Sequence, residues 1–225
     1  MDLLILLVLA LWYILPAYAA NGLAVIFGRG KRFNMPLDLG RNFIDGKRLF
    51  GDGKTLRGFV GGVVAGTFVG AAQSIAGSTV GIPMLLSSPQ VTFFLFAANA
   101  LSPQHAHLIL VNALFFTPLL FFLLGYPSTS KEIIMPSILK GFLLSLGALT
   151  GDLVGSFIKR RLNLDRGTPA PGLDQLDFIA GAILLSSWFY LPPVEVLLVV
   201  VIVTPVIHLL ANAGAYVLRL KKEPW

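Results

Sequence analysis

The chain has 225 residues, 56% of them apolar and only 12% charged, with a formal net charge of +6 and no cysteine. A soluble domain carries about 25% charged residues, so this composition points to an integral membrane protein. It excludes disulfides, thiolate metal sites and cysteine nucleophiles.

Hydropathy places candidate spans at 3–27, 57–78, 81–101, 105–125, 137–158, 175–191 and 194–217. Several approach the roughly 20 residues that cross hydrocarbon, and only helices satisfy the backbone polar groups there. The expected fold is all-α. It is a polytopic transmembrane bundle of five to seven spans, treated as one catalytic domain over 1–225. The first run contains Ala17-Tyr18-Ala19, which resembles a signal-peptide cleavage site. The run is long and carries Asp2 with no early basic residue, so it reads as a retained span. The short connection 101–105 makes 81–125 a candidate extra helical hairpin.

Between the first two runs lies a charged loop, about 28–56, and it holds Gly51-Asp52-Gly53-Lys54-Thr55. This is not a Walker A loop. That motif needs a glycine where Arg48 stands, and no strand precedes. A Gly-rich turn at a helix N-terminus still offers free N–H groups and the positive end of a dipole. With Gly53, Lys54, Thr55 and Arg57, it can serve as a phosphate cradle or as anchoring to lipid headgroups. Gly58, Gly62, Gly66 and Gly70 then step by four through the second run, a seam for close helix contact.

The run 137–158 holds Asp152, and Ser156, Lys159 and Arg160 follow on the same helical face. A carboxylate about two turns inside a span faces a bundle interior or a polar cavity more often than lipid. After the second charged loop, about 159–174, come Asp174 and Asp177 at the start of the next run. They read either as helix capping or as ligands. Two carboxylates plus Asp152 on one membrane face suit Mg²⁺, which takes one or two carboxylates, waters and substrate phosphates. His208 and Asn212, four apart in the last run, read as an interhelical hydrogen bond, as do Asn21 and Gln73. His105 and His107 are assigned no metal.

Of the 17 basic residues, 15 fall on one side if the N-terminus lies outside. The positive-inside rule then makes that side cytoplasmic, with both charged loops and the C-terminus on it.

Three segments together resemble the CDP-archaeol synthases, the archaeal branch of the CTP:phosphatidate cytidylyltransferase family. They are GDGKTLRG at 51–58, GDLVGSFIKRRLNLDRGTPAP at 151–171 and LDQLDF at 173–178. The wider family's S-x-x-K-R element is matched by Ser156 to Arg160. Its P-G-H-G-G element is present only as Pro171-Gly172, and the acidic pair follows as Asp174 and Asp177. The resemblance implies a reaction of CTP with an archaeal ether-lipid phosphate, digeranylgeranylglyceryl phosphate. It would yield CDP-archaeol and pyrophosphate in phospholipid biosynthesis. It further implies Mg²⁺ on Asp152, Asp174 and Asp177, and CTP phosphates on Gly53, Lys54, Thr55, Arg57 and Ser156. Lys159 and Arg160, with Asp152, would be catalytic. The partners are then CTP, the lipid phosphate and the bilayer, without nucleic acid. The enzyme would sit as a multi-pass protein in the cell membrane, with its active site at the cytoplasmic face.

A phosphotransferase that consumes CDP-lipid is disfavoured, because D-G-x-x-A-R and a four-residue Asp spacing are missing. A transporter or binding protein for an anionic solute or lipid is the alternative from another class. Against it, the charges lie on one face and the halves show no inverted repeat.

Overall fold

The computed structural model describes residues 3–29, 35–86, 138–165, 167–217 and 219, with side chains described to Ala76 in the second helix and not for Ala215. The chain divides into two compact units, residues 1–71 with 137–225, and residues 72–136. The first unit carries every candidate site residue and is the subject below. The hairpin expected at 81–125 lies outside the described residues, apart from 81–86, which continue a helix.

Five helices run through the described residues: α1 (Leu3–Phe27), α2 (Leu56–Leu86), α3 (Ile138–Arg161), α4 (Leu173–Ser186) and α5 (Val194–Val217). Four of them contain stretches long and apolar enough to cross a membrane: Leu3–Phe27, Leu56–Ala76, Ile138–Arg161 and Val194–Gly214. The helix α4 has 14 residues, about 21 Å, against about 30 Å of hydrocarbon. It ends earlier than hydropathy suggests. Trp188, Phe189 and Leu191 remain apolar, but the chain turns after Ser186, and Pro192-Pro193 precedes α5.

The helix ends follow local chemistry. The Thr55 hydroxyl accepts the Gly58 N–H at 3.1 Å and caps α2. The end of α3 carries Lys159, Arg160 and Arg161 at the negative pole of its dipole. Asn163 then adopts φ 58°. The Leu164 N–H bonds the Lys159 carbonyl, and the Asn163 N–H that of Arg160. This is a Schellman termination with asparagine in the left-handed position. Gly172 opens α4 at φ 84°, and its N–H is accepted by the Gln175 side chain at 2.5 Å.

Packing relies on absent side chains. A Cβ on Gly58 would meet the Ala24 carbonyl and the Gly28 Cα, and one on Gly62 the Ala20 carbonyl and Leu149. Gly66 faces the Pro16 carbonyl and the Ser145 hydroxyl, and Gly70 lies against the Gly141 backbone. The four-residue glycine step thus seats α2 on α1 and α3, as its spacing predicts. A second seam, Gly147, Gly151 and Gly181, brings α3 and α4 backbones together. Buried side chains between α1, α3, α4 and α5 include Tyr13, Ile14, Leu144, Ile179, Val196 and Val200. Tyr13 shares a 2.8 Å hydrogen bond with Ser186, and Tyr18 another of 2.8 Å with Thr204. Each hydroxyl is satisfied inside an apolar bundle, where an unmet one costs several kcal/mol. Outward residues such as Leu4, Val64, Leu184 and Ile202 are exposed, as a lipid-facing surface requires.

Candidate active site

The segment 35–55 is a folded cap rather than a slack loop. The Leu37 N–H donates to the Lys54 carbonyl, and the Leu56 N–H to that of Met35. A tight turn at Asp45-Gly46 lets Phe43 and Lys47 pair, with Gly46 at φ 76°. Asp38 organises the centre. Its side chain is 0% exposed. It accepts the N–H groups of Gly40, Phe50 and Gly51 and two bonds from the Arg48 guanidinium. Burial alone would raise this carboxyl's pKa. The Arg48 guanidinium and the three N–H groups outweigh it and hold the carboxyl well below the usual carboxylate range. Asp38 thereby fixes the start of the Gly51–Lys54 turn.

Arg161 fastens this cap to α3. Its guanidinium meets Asp45 at 2.7 Å and donates to the carbonyls of Lys47 and Arg48. It also stacks on Phe157 at 4.4 Å and Phe43 at 5.1 Å. In return, the Lys47 ammonium donates to the Arg161 carbonyl at 3.1 Å.

Docked in this way, the cap closes a cavity of about 350 Å³. Gly53, Lys54 and Thr55 line it from the cap, Asp152 and Lys159 from α3, and Asp174 from the start of α4. The Lys54 ammonium meets Asp152 Oδ2 at 2.5 Å. The Lys159 ammonium meets both oxygens of Asp174, at 2.9 and 3.1 Å, and the Thr168 carbonyl at 2.7 Å. Asp174 Oδ2 also accepts the Ala170 N–H, so one carboxylate orders the 167–174 turn and a cavity lysine together.

The other expected residues stand around this core without lining the cavity. Arg57 is exposed at the first turn of α2, and Ser156 is buried. Arg160 lies beside Gly51, and its Nε is buried without a hydrogen-bond partner among the described residues. Asp177 is seated against Gly155, where a Cβ would collide with its carboxylate. It is within electrostatic reach of Asp152, Lys54 and Asp174.

The donor set suits a hard cation. Asp152, Asp174 and Asp177 offer only oxygen, and ammonium groups already neutralise the first two. Among the described residues no three histidine, aspartate or glutamate side chains are grouped so that they could hold a metal ion by themselves. An open set, completed by water and phosphate, is how Mg²⁺ is usually held.

Four cavity residues had been read as structural or not singled out. Tyr18, Asn21, His208 and Asn212 reach the cavity from α1 and α5. The four-residue step of His208 and Asn212 is the signal that locates two of them, but the 3.2 Å bond they share lies within α5 rather than between helices as expected. Asp38 was legible only as one loop charge among many.

The sequence model of the CarS-like family, described as CDP-archaeol synthase, matches residues 3–103 and 109–225. The chain belongs to the CarS-like CDP-archaeol synthase family. A CDP-archaeol synthase of Methanocaldococcus jannaschii is 41% identical over 216 residues, covering 96% of each chain. One from Pyrococcus abyssi is 40% identical over 216 residues, also 96% of each, and one from Pyrobaculum calidifontis is 38% identical over the full length of both. Among solved structures, an intramembrane enzyme for archaeal membrane lipids biosynthesis matches with a TM-score of 0.56 and 30% identity, covering 90% of this chain and 92% of that one. The cavity's charged residues all fall inside the stretches that match the CarS-like family.

Proposed function

We propose that this chain is a Mg²⁺-dependent cytidylyltransferase of the membrane. It joins CTP to digeranylgeranylglyceryl phosphate and gives unsaturated CDP-archaeol and pyrophosphate. Membership of the CDP-archaeol synthase family supports the reaction class, a CTP-dependent nucleotidyl transfer. One observation in the site carries the mechanistic reading. Two lysines from separate elements, each held by a carboxylate, line one cavity where a polar cap meets membrane helices.

An oxygen of the lipid phosphate attacks the α-phosphorus of CTP. The new P–O bond forms as the bond to the β-phosphate's bridging oxygen breaks, and pyrophosphate leaves with that electron pair. The nucleophile is already ionised near neutral pH, so no strong base is needed. Positioning and charge neutralisation then supply most of the acceleration. Lys54, with the Gly53 and Thr55 backbone at the start of α2, holds nucleotide phosphate, with Arg57 and Ser156 close by. Lys159 neutralises the reacting phosphates, and Arg160 supports it from the α3 terminus. Asp152, Asp174 and Asp177 would hold Mg²⁺, which supplies charge neutralisation on the triphosphate when bound. The 15 basic residues expected on one side with the N-terminus outside support a cytoplasmic cavity. CTP enters from that side, and the lipid arrives laterally from the leaflet.

The test is transfer of label from CTP to lipid by the purified full chain, with and without Mg²⁺. Label in a CDP-lipid with pyrophosphate released is the expected result. No transfer from CTP to any phosphorylated ether lipid would sink the reading.

A further inference from the structure

The cap carries a side chain that its own folding does not explain. Asn42 pairs with Arg48 and Phe43 with Lys47, so residues 42–48 form a tight hairpin whose tip is Ile44-Asp45-Gly46. Ile44 is 94% exposed, more than any other large apolar residue among those described. A lone isoleucine on a soluble surface needs no explanation. This one lies at the depth of a membrane surface.

Its neighbour sets that depth. The Phe43 ring packs edge-on against Phe157 with centroids 5.2 Å apart, and the Arg161 guanidinium stacks on both rings. The helix α3 has 24 residues, about 36 Å, against about 30 Å of hydrocarbon. A centred helix then ends about 3 Å outside the hydrocarbon, and Phe157, one turn back, lies about 3 Å inside it. Phe43 therefore reaches the hydrocarbon boundary, and Ile44 follows it by one residue. The adjoining strip of α3 is also apolar and outward-facing, with Val154, Ile158 and Leu162 exposed at four-residue steps.

The charges of the tip are already engaged. Asp45 is paired with Arg161 at 2.7 Å and accepts the Lys47 N–H. The Lys47 ammonium donates to the Arg161 carbonyl. Entry into an interface thus strands no charge of the tip. Arg41, at the base of the hairpin, is exposed and in no ion pair among the described residues.

We infer that the 42–48 hairpin is an interfacial anchor: Ile44 and the edge of Phe43 enter the leaflet on the cap's side, and Arg41 faces its headgroup phosphates. An apolar side chain gains by leaving water for the acyl boundary, and a guanidinium beside it gains from phosphate. Insertion of the tip does not depend on which reaction the cavity performs. It does bear on the cavity's position. Arg161 ties the hairpin to α3, and Arg48 ties it through Asp38 to the Gly51–Lys54 turn. The anchor thereby holds Lys54 at a constant depth relative to the bilayer surface.

A chain without cysteine suits a site-directed label. Ile44→Cys is compared with Asp52→Cys, a reference on the same cap whose native side chain is 67% exposed. Each full-length variant carries one nitroxide and is reconstituted into vesicles of phosphatidylcholine and phosphatidylglycerol. Oxygen, which concentrates in hydrocarbon, and a water-soluble nickel chelate serve as relaxing agents. The label at 44 should collide mostly with oxygen and lose most of the nickel collisions seen at 52. Brominated acyl chains should quench a bimane on Ile44→Cys and leave one on Asp52→Cys bright. Ile44 packs against little, so its replacement leaves the cap folded. Adding Arg41→Gln to Ile44→Cys should raise nickel access at 44, and unchanged access would remove Arg41 from the anchor. A label at 44 as open to nickel as one at 52, or a bimane there that brominated chains fail to quench, overturns the inference and leaves Ile44 as a contact for a soluble protein.

Discussion

Lys54 and Asp152, 98 residues apart in the chain, meet at 2.5 Å across the boundary between the polar cap and a membrane helix. Neither is well placed alone. Asp152 lies about two turns inside α3, where an unpaired carboxylate is costly, and Lys54 sits in a glycine turn whose shape depends on the cap. Their contact makes the cap and the membrane bundle one structure at the cavity.

The first prediction concerns that contact. Lys54→Ala should weaken CTP binding by about ten- to a hundredfold, the worth of one charge-assisted contact at 1.5–3 kcal/mol. Asp152→Asn should abolish turnover while preserving the fold, because the change is nearly isosteric. Titration of CTP by calorimetry and label transfer measure the two. Wild-type affinity in Lys54→Ala would remove this lysine from the nucleotide site.

Lys159 was expected to serve the reacting phosphates apart from the nucleotide cradle. It shares the cavity with Lys54. Lys159→Ala should therefore lose kcat and also some CTP affinity. Asp174→Asn should follow it in kcat, because that carboxylate orders both the lysine and the 167–174 turn. A Lys159→Ala variant with full kcat would assign Lys159 to structure.

Removing divalent metal with a chelator should stop label transfer, and Mg²⁺ should restore it. Asp177→Asn should raise the Mg²⁺ concentration needed. Gly155→Ala should mimic it by displacing the Asp177 carboxylate, at a stability cost of about 1–3 kcal/mol. Transfer that survives chelation would argue against a bound cation at these carboxylates.

The pH dependence turns on Asp38. Its folded pKa is depressed, so its contribution to stability is fully present above the unfolded value, about pH 4, and fades as pH falls through the folded value. Between pH 5 and 8, Asp38→Asn should make the cap protease-sensitive at every pH, with a gap to wild type that does not vary. The gap should narrow only in strong acid. A gap that grew towards low pH would contradict the sign.

Much of the fold was legible in the sequence. The spans 3–27 and 194–217 coincide with α1 and α5, and the runs at 57 and 137 begin within a residue of α2 and α3. Long apolar runs have one structural solution in lipid, which is why hydropathy finds them. It could not see that α4 stops at Ser186, because Trp188 and Phe189 score as apolar whether helical or not. Gly53, Lys54, Thr55, Asp152, Lys159 and Asp174 were placed together by motif and helical spacing. The contribution of α1 and α5 was missed for a physical reason: a polar residue in a span looks the same whether it bonds a neighbouring helix or faces a cavity. Asp38 was missed because its partners are mostly backbone N–H groups, which leave no mark in sequence.

That last point bears on how the enzyme can change over generations. Three of the five bonds to Asp38 come from the main chain of Gly40, Phe50 and Gly51. Any non-proline residue supplies such a donor, if it can take up the local backbone shape. Gly40 and Gly51 sit at φ 78° and 92°, so of these three positions Phe50 is the one whose side chain the acid leaves open to drift. Homologous caps could vary at that position, acquiring new charge or new contacts with lipid headgroups, while delivering the same lysine to the same place.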